Sequence, residues 1–276
     1  MLPFFFSFWG RLDSRTLLVG SCSLGDGYHL GEHGEWEKKA NFELTTRVPL
    51  MISAPHLPGS HGRSTASLVD LVDLYPTLAD LAGLPSPLAT EPWLANDSVS
   101  QVSLFGNFDD GGGEKAVGVA PRTRSFSQYP RCDEAGPTMT HTVEHGSCNV
   151  VDKHLFKYMG YTVRTDVWRY TAWMAWNGTT TTVDWAAVPY AEELYDHTGD
   201  DGTDFDGWEN DNLVAAPRPA RSPVVNAARD ALHAALVKRF RFIPPRNPPP
   251  CATLIDRRSL NKGGGNKGGG WTNIKT

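Results

Sequence analysis

No run of this 276-residue chain is apolar for long enough to span a bilayer, so no membrane span is expected. Basic charge is not in excess. Lysine and arginine total 26 against 31 acidic residues, a formal net charge of −5, which gives nucleic acid no reason to bind. Cysteine is scarce: the four, Cys22, Cys132, Cys148 and Cys251, make no C-x-x-C pair and so no zinc-site spacing. The start, MLPFFFSFWGR, lacks a basic n-region, and its apolar run stops at Gly10 and Arg11. It reads as a buried strand or a stray start rather than a secretory signal.

What is present is a globular composition, 40% hydrophobic and 21% charged, long enough for one large domain or two small ones. Nine tryptophans and twenty prolines point to aromatic-rich strands joined by long loops. Cys132 and Cys148 bracket a loop rich in Gly, Thr, His and Pro, which a disulfide would close in an oxidising compartment. Asn96-Asp97-Ser98 and Asn177-Gly178-Thr179 are glycosylation sequons in loop-like stretches. Together these lean towards a lysosomal or secreted glycoprotein.

Patterning divides the chain. Residues 16–24 and 47–54 read as strands, with Pro49 at an early or edge position. Over 66–83 the spacing of Leu68, Leu71, Val72, Leu74, Leu78 and Leu81 predicts a helix that Gly83 and Pro85 stop and Pro76 kinks or divides. These elements suggest a βαβ-like unit over 1–84. Residues 85–121 read as a connection. Strand-like runs at 122–129, 155–164, 167–176 and 192–196 then predict an antiparallel sheet, with a tight hairpin at Thr165-Asp166. An amphipathic helix over 223–240 begins with Pro223 and ends in basic residues. Strands and helix form an α+β unit over 122–245. The Gly-Lys-Asn-rich tail, 246–276, reads as disordered.

Several stretches are recognisable. GYHLGEHGEWEKKANFELTTRVPL (27–50), DLVDLYPTLADLAGLP, FSQYPR, YMGYTVRTDVWRYTAW and ELYDHTGD, with Glu209, Asn210 and Asn212-Leu213 after them, occur in that order. The pattern resembles the sulfatase family, its iduronate-2-sulfatase group most of all. The resemblance implies an α/β fold: a remnant of a large mixed-sheet domain plus a C-terminal antiparallel-sheet subdomain with a packed helix. It also implies hydrolysis of sulfate esters on glycosaminoglycan-type sugars. A Ca²⁺ ion and a formylglycine made from the cysteine of C-x-P-S-R would serve that reaction.

A sulfate ester is cut by attack at sulfur while charge builds on oxygen, which needs an oxygen nucleophile, a hard cation and donors on the sulfate. None of the four cysteines begins C-x-P-x-R. The chain starts where the last third of the family's core would begin, so it reads as a fragment or degenerate relative. In the opening loop, alignment on Gly27 puts Asp26 at the family's His, and a one-residue deletion makes it the metal carboxylate instead. Asp26 is thus the one candidate metal ligand, its rival reading a turn aspartate beside glycine. Lys38 matches the family lysine on the sulfate, against a solvated lysine beside Lys39.

His29, Glu32 and His33 look like an acid–base set, but the resemblance makes Glu32 and His33 loop-framing groups, with Trp36 packing the loop and Arg47 pairing with a carboxylate such as Glu43. His141, Glu144 and His145 read as surface residues. Arg164, Trp168 and Arg169 lie on the hairpin, where one could touch a sugar; cross-strand packing with exposed arginines is the plainer reading. The expected partner is a sulfated sugar, and the chain alone is expected to be inactive. The alternative is a non-catalytic truncated homologue that binds an anionic sugar.

Overall fold

The computed structural model describes residues 18–21, 27–57, 60, 62, 64–90, 97–105, 122–131, 148, 152–204 and 207–241. All fall in one compact unit ending at Arg241. Its centre is an antiparallel sheet of β5 (Ser125–Arg131), β6 (Tyr158–Arg164), β7 (Trp168–Asn177), β8 (Thr182–Val183) and β9 (Ala191–Asp196). β6 lies between β5 and β7, and both β8 and β9 pair with β7. The hairpin between β6 and β7 closes where the sequence predicts: the Thr165 N–H donates to the Trp168 carbonyl at 2.8 Å, and the Trp168 N–H to Thr165 Oγ1 at 2.9 Å.

Period-two alternation sorts the side chains of this sheet. Val163 lies opposite Tyr170, Tyr161 opposite Ala172 and Met159 opposite Met174, all on one face. That face is covered by α4 (Pro223–Phe240). The helix starts with Ser222 as N-cap, its Oγ accepting from the Val225 N–H at 3.2 Å, and with Pro223 next, where no N–H is needed. Val225, Ala228, Leu232, Leu236 and Phe240 recur at three- and four-residue steps and form its inner stripe.

The other face carries Arg164 opposite Arg169, Thr162 opposite Thr171 and Gly160 opposite Trp173. Residues 40–46, including the short helix α1 (Glu43–Thr46), lie across it. Gly160 is required here. A Cβ on it would stand 2.6 Å from the Trp173 ring and 2.8 Å from Asn41 Nδ2. Asn41 Nδ2 instead donates to the Gly160 carbonyl at 3.2 Å. With both faces covered, β6 and β7 are buried along most of their length.

The N-terminal part differs from its expected form in four ways. β1 (Leu18–Ser21) and β4 (Leu50–Ser53) pair antiparallel, not as the parallel neighbours of a βαβ unit. The helix expected over 66–83 is α2 (Leu74–Leu81), preceded by a 3₁₀ turn at Leu71–Asp73 and followed by the single-turn helix α3 (Pro87–Thr90). It starts late because Asp70 and Asp73 form a reciprocal capping box that fixes the entry, while Leu68 is drawn into a bridge with Arg122. Pro76 falls in the first turn of α2, where its missing N–H costs nothing, so it neither kinks nor divides the helix. The buried stripe also differs: Leu71 and Val72 of the expected spacing are exposed, Leu81 is buried as expected, and Pro76, Thr77 and Ala79 are buried with it.

Cys148 is disulfide-bonded, and its sulfur lies 3.4 Å from the Pro130 carbonyl oxygen. Cys132, the partner expected from sequence, lies outside the described residues, as do His141, Glu144, His145, Asn96 and the tail.

A candidate anion-binding cleft held by a buried ion ring

The segment bearing Lys38 is a loop with its own frame. β2 (His29–Leu30) and β3 (Trp36–Glu37) make a minimal hairpin. His29 is fully buried; its Nδ1–H donates to the Glu32 carbonyl at 3.1 Å, which leaves Nε2 to accept from Thr45 Oγ1 at 2.8 Å. The Glu32 carboxylate accepts from the Leu30 N–H at 2.5 Å. His33 takes a left-handed backbone at φ 54° and stacks on Phe42 with centroids 4.4 Å apart. Burial pulls the His33 pKa down. These three residues frame the loop and do not assemble as an acid–base set. Trp36, expected to pack the loop, is 54% exposed, because β3 has no second layer over it among the described residues.

Below this loop lies a closed ring of charges. Glu43 Oε2 contacts Arg169 Nη2 and, at 3.1 Å, Arg164 Nε. Arg169 Nε contacts Glu209 Oε1, which is 3.1 Å from His197 Nε2. His197 Nδ1 is 2.8 Å from Asp200 Oδ2, and Asp200 Oδ2 is 3.2 Å from Arg164 Nη2. Three carboxylates thus alternate with two guanidiniums and an imidazole.

Backbone groups join the ring. The Glu43 N–H donates to Glu209 Oε2 at 2.6 Å, and Arg169 Nη1 donates to the Asn41 carbonyl at 2.9 Å. Arg47 Nη1 reaches Glu43 Oε1 at 3.5 Å and Asp200 Oδ1 at 3.9 Å, the carboxylate pairing its position suggested. Burial opposes ionisation of Glu43, yet Arg169 and Arg164 outweigh it and hold the carboxyl at about 2. Glu209 is likewise lowered against burial by Arg169 and His197. Burial disfavours the Arg169 charge, but Glu209 and Glu43 raise its pKa.

Arg164 and Arg169 were expected to be exposed. They are 8% and 2% exposed, because residues 40–46 cover the face on which the alternation puts them. His197, Asp200 and Glu209 were not singled out as a site. The signal that could have found them is the ELYDHTGD run with the later glutamate, read against two arginines that alternation sends to one face.

Lys38, Lys39, Arg47, Arg164, Arg169 and Arg239 are among the residues that line a cleft of about 1360 Å³. Lys39 is paired with Glu37 at 2.6 Å, and Lys38 is exposed. Leu68, Asp70 and Thr77 line it as well. The lining is part apolar and balanced in formal charge, its six bases matched by Glu37, Glu43, Asp70, Asp166, Asp200 and Asp201, with Lys38 among its exposed cations.

Ca²⁺ does not fit the described donors. Asp26 lies outside the described residues. Among them, Glu43, His197 and Glu209 are the one group whose ligand atoms converge, within 4.8 Å of each other. Arg169 contacts both of its carboxylates, and a hard cation wants an oxygen cage without guanidiniums inside it.

No family model matches the chain. Among curated proteins it is 31% identical to iduronate 2-sulfatase of Mus musculus over 226 residues, which cover 67% of this chain and 37% of that protein. It is 43% identical to choline-sulfatase of Rhizobium meliloti (strain 1021) over 95 residues, covering 34% and 17%. The chain therefore spans little more than a third of the longer of these matches. A crystal structure described as that of a sulfatase from Bacteroides thetaiotaomicron VPI-5482 superposes with a TM-score of 0.48 at 20% identity, covering 82% of this chain and 37% of that one.

Proposed function

The chain belongs to the sulfatase family over the stretch its relatives match, and from that premise we propose that it offers the cleft beside the exposed Lys38 to sulfated, glycosaminoglycan-type sugars. In this reading it is an iduronate-2-sulfatase-like C-terminal portion, and the whole family reaction is hydrolysis of a sulfate ester. The observation that carries the proposal is the cleft itself, with Lys38 and Arg47 on a segment fastened by the ion ring. In that reaction the Lys38 ammonium would hold a sulfate oxygen as negative charge grows on it. Arg169, Glu43 and Glu209 would act by keeping the segment that carries Lys38 in place.

These 276 residues contain no cysteine in a C-x-P-x-R sequence, so no formylglycine nucleophile can be made in them, and the described carboxylates do not fit Ca²⁺. Binding without turnover is the expected behaviour of the chain alone. A lysosomal or secreted setting is supported by the disulfide at Cys148 and by the exposed Asn177 sequon. No helix among the described residues is long and apolar enough to cross a membrane.

Calorimetric titration with a sulfated glycosaminoglycan disaccharide tests this, alongside an aryl-sulfate assay with Ca²⁺. The expectation is binding that weakens about tenfold in Lys38→Ala, no binding of the desulfated sugar, and no turnover. Equal binding by Lys38→Ala, or turnover above background, would overturn it.

A further inference from the structure

On the outer side of α4, across the sheet from the ion ring, a shallow pocket of about 490 Å³ is lined by Trp185, Arg229, Asp230, His233, Lys238 and Arg241. We propose that this pocket is a second carbohydrate site, which takes a sulfated or carboxylated sugar independently of Lys38.

The charges favour an anion. Asp230 is the one acid in the lining, and it is engaged by Arg218 through two bonds of 2.9 and 2.6 Å and by Arg229 at 3.3 Å. Arg229 is matched in turn by Glu192 at 2.5 Å. Lys238 and Arg241 are exposed and have no ion-pair partner among the described residues. They leave a local positive surplus on a chain whose net charge is −5.

The uncharged groups favour a sugar over a bare anion. Trp185 is half-buried and held by Tyr161, 4.9 Å away between ring centroids, and by Phe240, nearly parallel at 6.3 Å. An aromatic ring already ordered by the core can take the apolar face of a pyranose at small entropic cost. Tyr170 donates its O–H to Glu192, so its oxygen is left to accept from His233 Nδ1 at 3.1 Å. That bond assigns the proton to Nδ1 and leaves Nε2 as an acceptor suited to a hydroxyl. Burial and the nearby Arg229 lower the His233 pKa, which keeps the ring in that neutral form. Glu192 and Asp230 act in the opposite sense and are weaker. Aromatic wall, hydroxyl acceptor and two unmatched cations together describe the three faces of an anionic sugar.

The test is titration of the chain with a heparin-derived tetrasaccharide, its desulfated form and inorganic sulfate. The variants are Lys38→Ala, the charge reversal Lys238→Glu/Arg241→Glu, and Trp185→Phe. The expected result is a binding event that survives Lys38→Ala, weakens about tenfold or more in the charge reversal, and weakens also in Trp185→Phe. Both reversed residues are exposed, so that variant should fold even if Trp185→Phe does not. Tetrasaccharide binding unchanged by the reversal would overturn the proposal, and so would inorganic sulfate binding as tightly as the sugar. Loss of binding in Lys38→Ala alone would leave only the cleft, whereas loss in the reversal alone would remove the cleft and keep this site.

Discussion

At the scale of single residues, Glu43 is the group on which most depends. It begins α1, gives its N–H to Glu209, and receives Arg169, Arg164 and Arg47 on its two oxygens. Its folded pKa, about 2, lies below the ordinary 4.5. A carboxyl lowered on folding adds stability that is fully present above its unfolded value and is lost as pH falls through its folded value. The Glu43 contribution to the denaturant midpoint should therefore be complete above about pH 5 and be lost between about pH 4.5 and 2, with the lowered Glu209 adding to that fall. Glu43→Gln should flatten part of that fall, and a fall of unchanged steepness in this variant would contradict the assignment. Some of this was legible from sequence: the Arg47 pairing followed from its position. The burial of Arg164 and Arg169 did not, because strand alternation tells which face a residue takes but not what covers that face.

At the scale of elements, the C-terminal half was the more readable. The β6–β7 hairpin and α4 have strong periodicity and clear end signals, and both form near the predicted positions. α2 was less so. Its apolar spacing continues upstream of residue 74, but the Asp70–Asp73 capping box sets the start, and Arg122 reaches in from afar to contact Asp73. Long-range ion pairs of that kind leave no local pattern. The contribution of α4 can be measured. Leu236 is fully buried against the sheet, and Leu236→Ala should cost about 3 kcal/mol in urea unfolding. Val224, 66% exposed on the same helix, should change stability by about 0.5 kcal/mol or less when cut to alanine. Similar costs at the two positions would mean that α4 does not pack as described.

At the scale of the whole molecule, residues far apart in the chain converge on one ring. Asn41 and Glu43 come from the opening segment, Arg164 and Arg169 from the hairpin, His197 and Asp200 from the run after β9, and Glu209 from the loop beyond. These are the stretches through which the sequence resembles a sulfatase, and here most of them fasten one part of the fold to another. A buried ion pair adds little net stability over an apolar substitute, but removing one partner strands the others, at about 3–5 kcal/mol. Arg169→Ala would take a buried guanidinium from both Glu43 and Glu209.

Amide hydrogen exchange in that variant tests the central claim, that the ring holds the Lys38 segment on the sheet. In the native chain the Glu43, Thr45, Thr46 and Arg47 amides are hydrogen-bonded and should exchange slowly. In Arg169→Ala they should exchange about a hundredfold faster, while the paired amides of β6 and β7 keep their protection. Unchanged protection at residues 43–47 would contradict the account.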